Sequence, residues 1–203
     1  MYKILIVLLI GVNCVFSSSK KKAENANHQV QKEPTLKRLE EFLHLLPTIK
    51  ATFIQINPNG EEVNGTLYID RKNKKVRIEY PSLMQVYVVT DGFLFIHDKK
   101  QKDIQEMDAS YTPVGLLLQP KIKFNDTVHV VNLMENTKEA FLTLSDTKDA
   151  DHGTMSFHFG IETFIKLLGW KIVDMQGLET HVKIIHLEGG IPLDKALFLK
   201  PKA

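Results

Sequence analysis

Met155-Ser156-Phe157-His158-Phe159-Gly160-Ile161 places an apolar side chain at every second position, with small or polar residues between them. A period of two marks a strand with one face buried and the other in water. Val76-Arg77-Ile78-Glu79-Tyr80 repeats the pattern in the first half of the chain. Turn chemistry punctuates the sequence at short intervals: Pro58-Asn59-Gly60, Asn64-Gly65, Lys72-Asn73-Lys74, Asp91-Gly92, Lys99-Lys100, Gln176-Gly177 and Gly189-Gly190. Short alternating strands joined by tight turns predict a mainly β protein, an antiparallel meander of about ten to eleven strands.

Helical spacing occurs in two places. After Pro34, the residues Leu36, Leu39, Phe42, Leu43 and Leu46 form one apolar stripe, with Arg38, Glu40 and Glu41 opposite, so an amphipathic helix is expected to end before Pro47. Thr112 to Leu118, opened by Pro113 and closed before Pro120, reads as a second, short helix. Two helices of about 10 Å width cannot cover the concave side of a sheet whose strands lie about 4.8 Å apart. Such a sheet either closes tightly on its own side chains or leaves an apolar hollow.

The chain of 203 residues carries Lys+Arg 26 against Asp+Glu 24, a net charge of +2, which gives it no bulk electrostatic claim on nucleic acid. Composition at 43% hydrophobic and 25% charged suits one globular core rather than a disordered or multi-spanning chain. Met1-Tyr2-Lys3 followed by the apolar run Ile4 to Val12 and the small residues Ser17 to Ser19 reads as a secretory signal peptide over residues 1–19. Residues 20–33 are expected to be a solvated polar leader, and 34–203 a single domain. Cys14 is the only cysteine, so a disulfide framework and a thiolate metal cluster are both excluded from the rest of the chain. Ser145 to Gly153 is a polar surface loop in this reading.

Eight histidines raise the question of a metal, yet His152, His158, His181 and His186 lack the spacing of a zinc site. On a regular strand His181 and His186, an odd number apart, would face opposite ways. The sequence contains no Gly-x-Ser-x-Gly elbow, phosphate-binding loop or nucleophilic cysteine, so neither a catalytic group nor a cofactor is expected.

Several segments together resemble the LolA family of periplasmic outer-membrane lipoprotein carriers. They are Ala51-Thr52-Phe53-Ile54-Gln55, then Gly65-Thr66-Leu67-Tyr68-Ile69-Asp70-Arg71, and Val76 to Tyr80. Val88-Val89-Thr90-Asp91-Gly92 with Phe95-Ile96-His97-Asp98, and the Thr112-Pro113 helix, continue the order. Leu168-Gly169-Trp170-Lys171-Ile172-Val173-Asp174-Met175-Gln176-Gly177 is similar to the family's late Trp-x-x-x-Asp-x-x-Gly hairpin. Lys72 stands where the family often has proline, and Ile78 where it often has an aromatic residue.

The resemblance implies an unclosed antiparallel β-barrel with a few short helices lidding an apolar cavity that shelters acyl chains. Arg71 best matches the family arginine that bonds lid-helix carbonyls and holds the empty cavity shut. Candidate acyl-contacting residues are Leu39, Leu43, Val114, Leu117 and Leu118 from helices, and Ile69, Ile78, Tyr80, Phe95, Phe157 and Phe159 from strands. Implied partners are acylated lipoproteins, an inner-membrane lipoprotein-releasing transporter and an outer-membrane acceptor, met in the periplasm by a monomer that binds no nucleic acid. The alternative is a periplasmic sensor or regulator that binds lipid or protein on the same open barrel.

Overall fold

The computed structural model describes residues 29–109, 118, 124, 129–145 and 153–202. Among these residues one α-helix, α1 (Gln29–His44), precedes eleven strands: β1 (Thr48–Ile56), β2 (Glu62–Asp70), β3 (Lys75–Tyr80), β4 (Gln85–Thr90), β5 (Phe93–Asp98) and β6 (Asp103–Asp108) in the first half. The second half contributes β7 (His129–Glu135), β8 (Glu139–Ser145), β9 (Thr154–Gly160), β10 (Lys166–Val173) and β11 (Glu179–Gly189). They form a single sheet in the order β6-β5-β4-β3-β2-β1-β11-β10-β9-β8-β7, each neighbour antiparallel to the next. β6 and β7 are the two edges, so the sheet is an unclosed barrel, as expected.

Eleven flat strands would span about 48 Å at a spacing of about 4.8 Å. Yet side chains from β5 (Leu94), β3 (Val76), β8 (Leu142) and β9 (Phe157) belong to one continuous buried cluster, so the sheet curls around them. α1 closes the concave side. Leu39 and Leu43 are fully buried, and Phe42 sets its ring edge-on to Phe159 with centroids 6.1 Å apart. Glu40, on the polar flank of α1, accepts a hydrogen bond from the Phe124 backbone N–H. The helix begins at Gln29, five residues before the Pro34 start read from the sequence. Pro34 thus lies inside it, where its missing N–H removes one rung of the helical ladder.

Three local departures from strict alternation matter for the site. Asn64-Gly65, expected to be a turn, lies within β2 and pairs with Ile54 and Phe53 of β1. Glycine is needed there because the Phe53 ring occupies the space that a Cβ on residue 65 would take. The ring is held from two other sides, by Tyr80 at 5.8 Å and Trp170 at 6.4 Å, so it has little freedom to yield. Gly65→Val is expected to cost about 1–3 kcal/mol by overpacking, read as a lower urea midpoint with unchanged slope.

Second, β11 gains a residue relative to β1 between the pairs Thr52↔His186 and Phe53↔Ile184. This bulge turns Ile185 outward and leaves both Ile184 and Leu187 facing the core. It also corrects the expectation for the histidines: His181 and His186 both lie on the solvent side, beside Glu179 and Glu188 respectively. Among the described residues no three metal-binding side chains converge.

Third, Gly169 sits at a β10 bulge, where a Cβ would run into the Val182 carbonyl oxygen of β11. The turn that follows explains the Trp-x-x-x-Asp-x-x-Gly pattern. Asp174 is buried, and its Oδ1 accepts from the N–H groups of Gln176 and Leu178, each at 2.8 Å. Gly177 supplies the left-handed φ of +77° that the turn requires. The expected helix of residues 112–118 and the loop 145–153 lie largely outside the described residues, as do the signal peptide and most of the leader.

Candidate functional site: an apolar hollow under a helix

The inner ends of β1, β2, β9, β10 and β11 meet the C-terminal turn of α1 around a small hollow with about 10 Å3 of free space, about one water. Leu43, Ile69, Phe157 and Arg71, all singled out in the sequence, line it. Leu39, Phe159 and Leu118 are buried in the surrounding cluster. Ile78 and Tyr80 belong to that cluster as well, but Tyr80 is drawn toward the opposite end of the barrel, where its hydroxyl donates to Gln55 Oε1 at 2.7 Å. Burial there pushes the Tyr80 phenol well above its ordinary pKa.

Phe95 is not brought to the hollow. Its neighbours across the strands are Val88 and Glu106, whereas the inward pairs of β5 are Leu94 with Val89 and Ile96 with Tyr87. Phe95 instead joins Val86, Val88 and Phe198 in a small apolar layer on the outer face. The chain returns across that face as a 3-10 turn, Lys195–Phe198, tied down by Arg77 Nη1 donating to the Leu197 carbonyl at 3.0 Å. Lys200 lies 4.4 Å over the Phe95 ring. Because Phe93, Leu94, Phe95 and Ile96 are all apolar, the sequence offered no alternation by which to tell the faces apart. Val114 and Leu117 lie outside the described residues.

Sequence reasoning missed part of the wall. Ile49, Ala51 and Leu67 follow by parity from Phe53 and Ile69, so the signal was present. Leu167, Trp170, Ile184 and Leu187 flank the two bulges, which break the period that would have revealed them.

Among the described residues, Arg71 is the only charged one in this lining. It is 5% exposed, directly after β2, with its backbone N–H donating to the Pro47 carbonyl at 3.0 Å. Its Nη1 donates to the carbonyl of Leu43 at 2.6 Å. That carbonyl belongs to the last turn of α1, where helical acceptors lack intrahelical partners and the helix dipole is negative. Leu46 N–H, at 3.4 Å, also reaches it. Burial lowers the guanidinium pKa to about 10, which leaves it charged at neutral pH. Its Nε is buried with no hydrogen-bond partner among the described residues. Among the described residues the desolvated cation therefore has one charged hydrogen bond, to the α1 carbonyl of Leu43, to set against the cost of its burial.

Residues 45–200 match the model of the family described as outer membrane lipoprotein carrier protein LolA. The chain belongs to the LolA family. An uncharacterized conserved protein from Thermus thermophilus has a similar structure, with TM-score 0.50 and 13% identity over 84% of this chain and 94% of that one. The LolA superfamily protein NE2245 from Nitrosomonas europaea gives TM-score 0.43 and 9% identity over 81% and 97%. The protein MucB, solved in complex with MucA(peri), gives TM-score 0.32 and 14% identity over 82% and 58%. No curated protein matches the chain significantly.

Proposed function

We propose that this LolA-family chain is a periplasmic carrier that takes the acyl chains of lipoproteins at the inner membrane, shelters them in the barrel and hands them to an outer-membrane acceptor. The observation that carries this reading is the hydrogen bond from buried Arg71 to the α1 carbonyl of Leu43, set in the wall of an apolar hollow. In this reading the hollow is the closed form of a chamber, α1 is its lid and Arg71 is the latch.

Magnitudes explain why a carrier needs such a device. Each methylene withdrawn from water contributes about 0.8 kcal/mol, so a fully sheltered triacyl group would bind by tens of kcal/mol and never leave. A carrier therefore needs an opposing cost of opening. Lifting α1 exposes Leu39 and Leu43, each buried to within 1%, at about 1.5–3 kcal/mol apiece. Breaking the charged hydrogen bond of Arg71 adds about 1.5–3 kcal/mol. Free space near that of one water means that an acyl chain enters only as the lid moves. No bond is made or broken in this scheme, and no cofactor takes part.

The test is to incubate the purified chain with spheroplasts and look for a soluble complex with a triacylated lipoprotein. Release of that complex is the expected result. Failure to release any lipoprotein, with a stress response altered by depletion while lipoprotein sorting stays normal, would replace the carrier by a sensor on the same barrel.

A further inference from the structure

Antiparallel order assigns every turn to one of two rims of the barrel. The α1–β1 connection, the β2–β3 turn and the β9–β10 loop share the rim at which Arg71 meets α1. Among the described residues, the α1–β1 connection and the β9–β10 loop each hold a large apolar side chain out in water: Leu45, 76% exposed, and Phe164, 74% exposed. Their loops adjoin β1 and β10, which are separated by β11 alone, a distance of about 10 Å. Between them Leu46 folds down against Gly189 at the end of β11, and Ile165 packs on the core, so the outward pair is set apart from buried neighbours.

Cations flank the pair. Lys72 and Lys74 are exposed on the β2–β3 turn, and the exposed Lys166 opens β10 two residues after Phe164. Acids are interspersed: Asp70 accepts two hydrogen bonds from Asn73, Glu162 lies 4.0 Å from Lys138, and Glu41 is exposed one helical turn before Leu45. Protruding apolar tips with lysines on the loops to either side complement the surface of an anionic bilayer, where the tips enter the headgroup layer and the lysines meet phosphates.

We propose that this rim is a docking surface for anionic phospholipid membranes, with Leu45 and Phe164 as the inserting residues and Lys72, Lys74 and Lys166 as the phosphate contacts. The contact does not require the hollow to take a ligand. It would turn the Arg71 end of the barrel toward the bilayer.

The test uses the full chain carrying Phe164→Trp, with vesicles of phosphatidylcholine mixed with phosphatidylglycerol and, separately, of phosphatidylcholine alone. The introduced tryptophan is expected to shift its emission to the blue with the mixed vesicles only. Met175→Trp, on the opposite rim in the β10–β11 turn, is expected to show no shift. In vesicle sedimentation, Leu45→Ser combined with Phe164→Ser should lower the partition coefficient at least tenfold, with thermal melting confirming the fold. Lys72→Gln and Lys74→Gln should each lower it about fivefold, from about 1 kcal/mol per lysine at an anionic surface. An unchanged emission with Phe164→Trp would overturn the proposal. So would equal binding to the two vesicle types, an equal shift with Met175→Trp, or sedimentation insensitive to the Leu45 and Phe164 pair.

Discussion

Arg71→Leu is expected to leave the sheet folded and to hold an acylated lipoprotein roughly ten- to a hundred-fold more tightly than the parent chain. The factor is the latch contribution of about 1.5–3 kcal/mol, expressed at about 1.4 kcal/mol per decade of affinity. The direction follows from where Arg71 acts. Its bond to the Leu43 carbonyl exists in the closed barrel, so its loss raises the free energy of the closed state and leaves the opened one nearly unchanged. Leucine also adds an apolar surface to the wall and removes the buried, unpartnered Nε. Melting should fall by about 3–12 °C, because the closed native state loses that same net contribution of about 1.5–3 kcal/mol. The measurement is the rate at which loaded protein releases lipoprotein to acceptor membranes, which should fall by the same factor. Arg71→Lys keeps the charge without the planar fork and is expected to fall between the two. Release as fast as in the parent would remove Arg71 from the latch.

Phe159→Ala is expected to be the most damaging substitution for stability, at about 3–5 kcal/mol. Phe159 is fully buried and packs against Phe157 at 6.1 Å on its own strand and against Phe42 of α1 at 6.1 Å. Truncation therefore opens a cavity and removes the aromatic ring against which Phe42 of α1 packs. Urea denaturation followed by circular dichroism measures it. A midpoint within error of the parent would show that α1 draws its hold on the barrel from Leu39 and Leu43 alone.

The period-two stretches that predicted a meander were faithful wherever apolar and polar residues truly alternate. β3 and β9 buried the residues their pattern indicated, with Val76, Tyr80, Phe157 and Phe159 all inside and Ile78 partly so. Legibility failed in three physical situations. In β5 four consecutive apolar residues served two separate layers, so Phe95 could not be assigned a face. In β10 and β11 an extra residue reset the parity, which hid Trp170, Ile184 and Leu187 from the count and sent His181 and His186 to one side. In β2 a glycine next to asparagine looked like a turn although its purpose is to make room for a ring from another strand. The position of Arg71, by contrast, emerged from the resemblance rather than from any period, since its hydrogen-bond partner lies 28 residues away on a different element.

The seam between β1 and β11 also bears on how the chain reaches its native form. Strands β1 to β6 are a meander of local hairpins, as are β7 to β11, but among the described residues the two halves pair as strands only where residues 48–56 meet residues 179–189. A ribosome must therefore finish most of the polypeptide before the halves can zip together, and contacts of such long sequence separation make the final step slow. For the periplasmic carrier proposed above, that delay would keep the chain threadable through a narrow translocation pore before it folds.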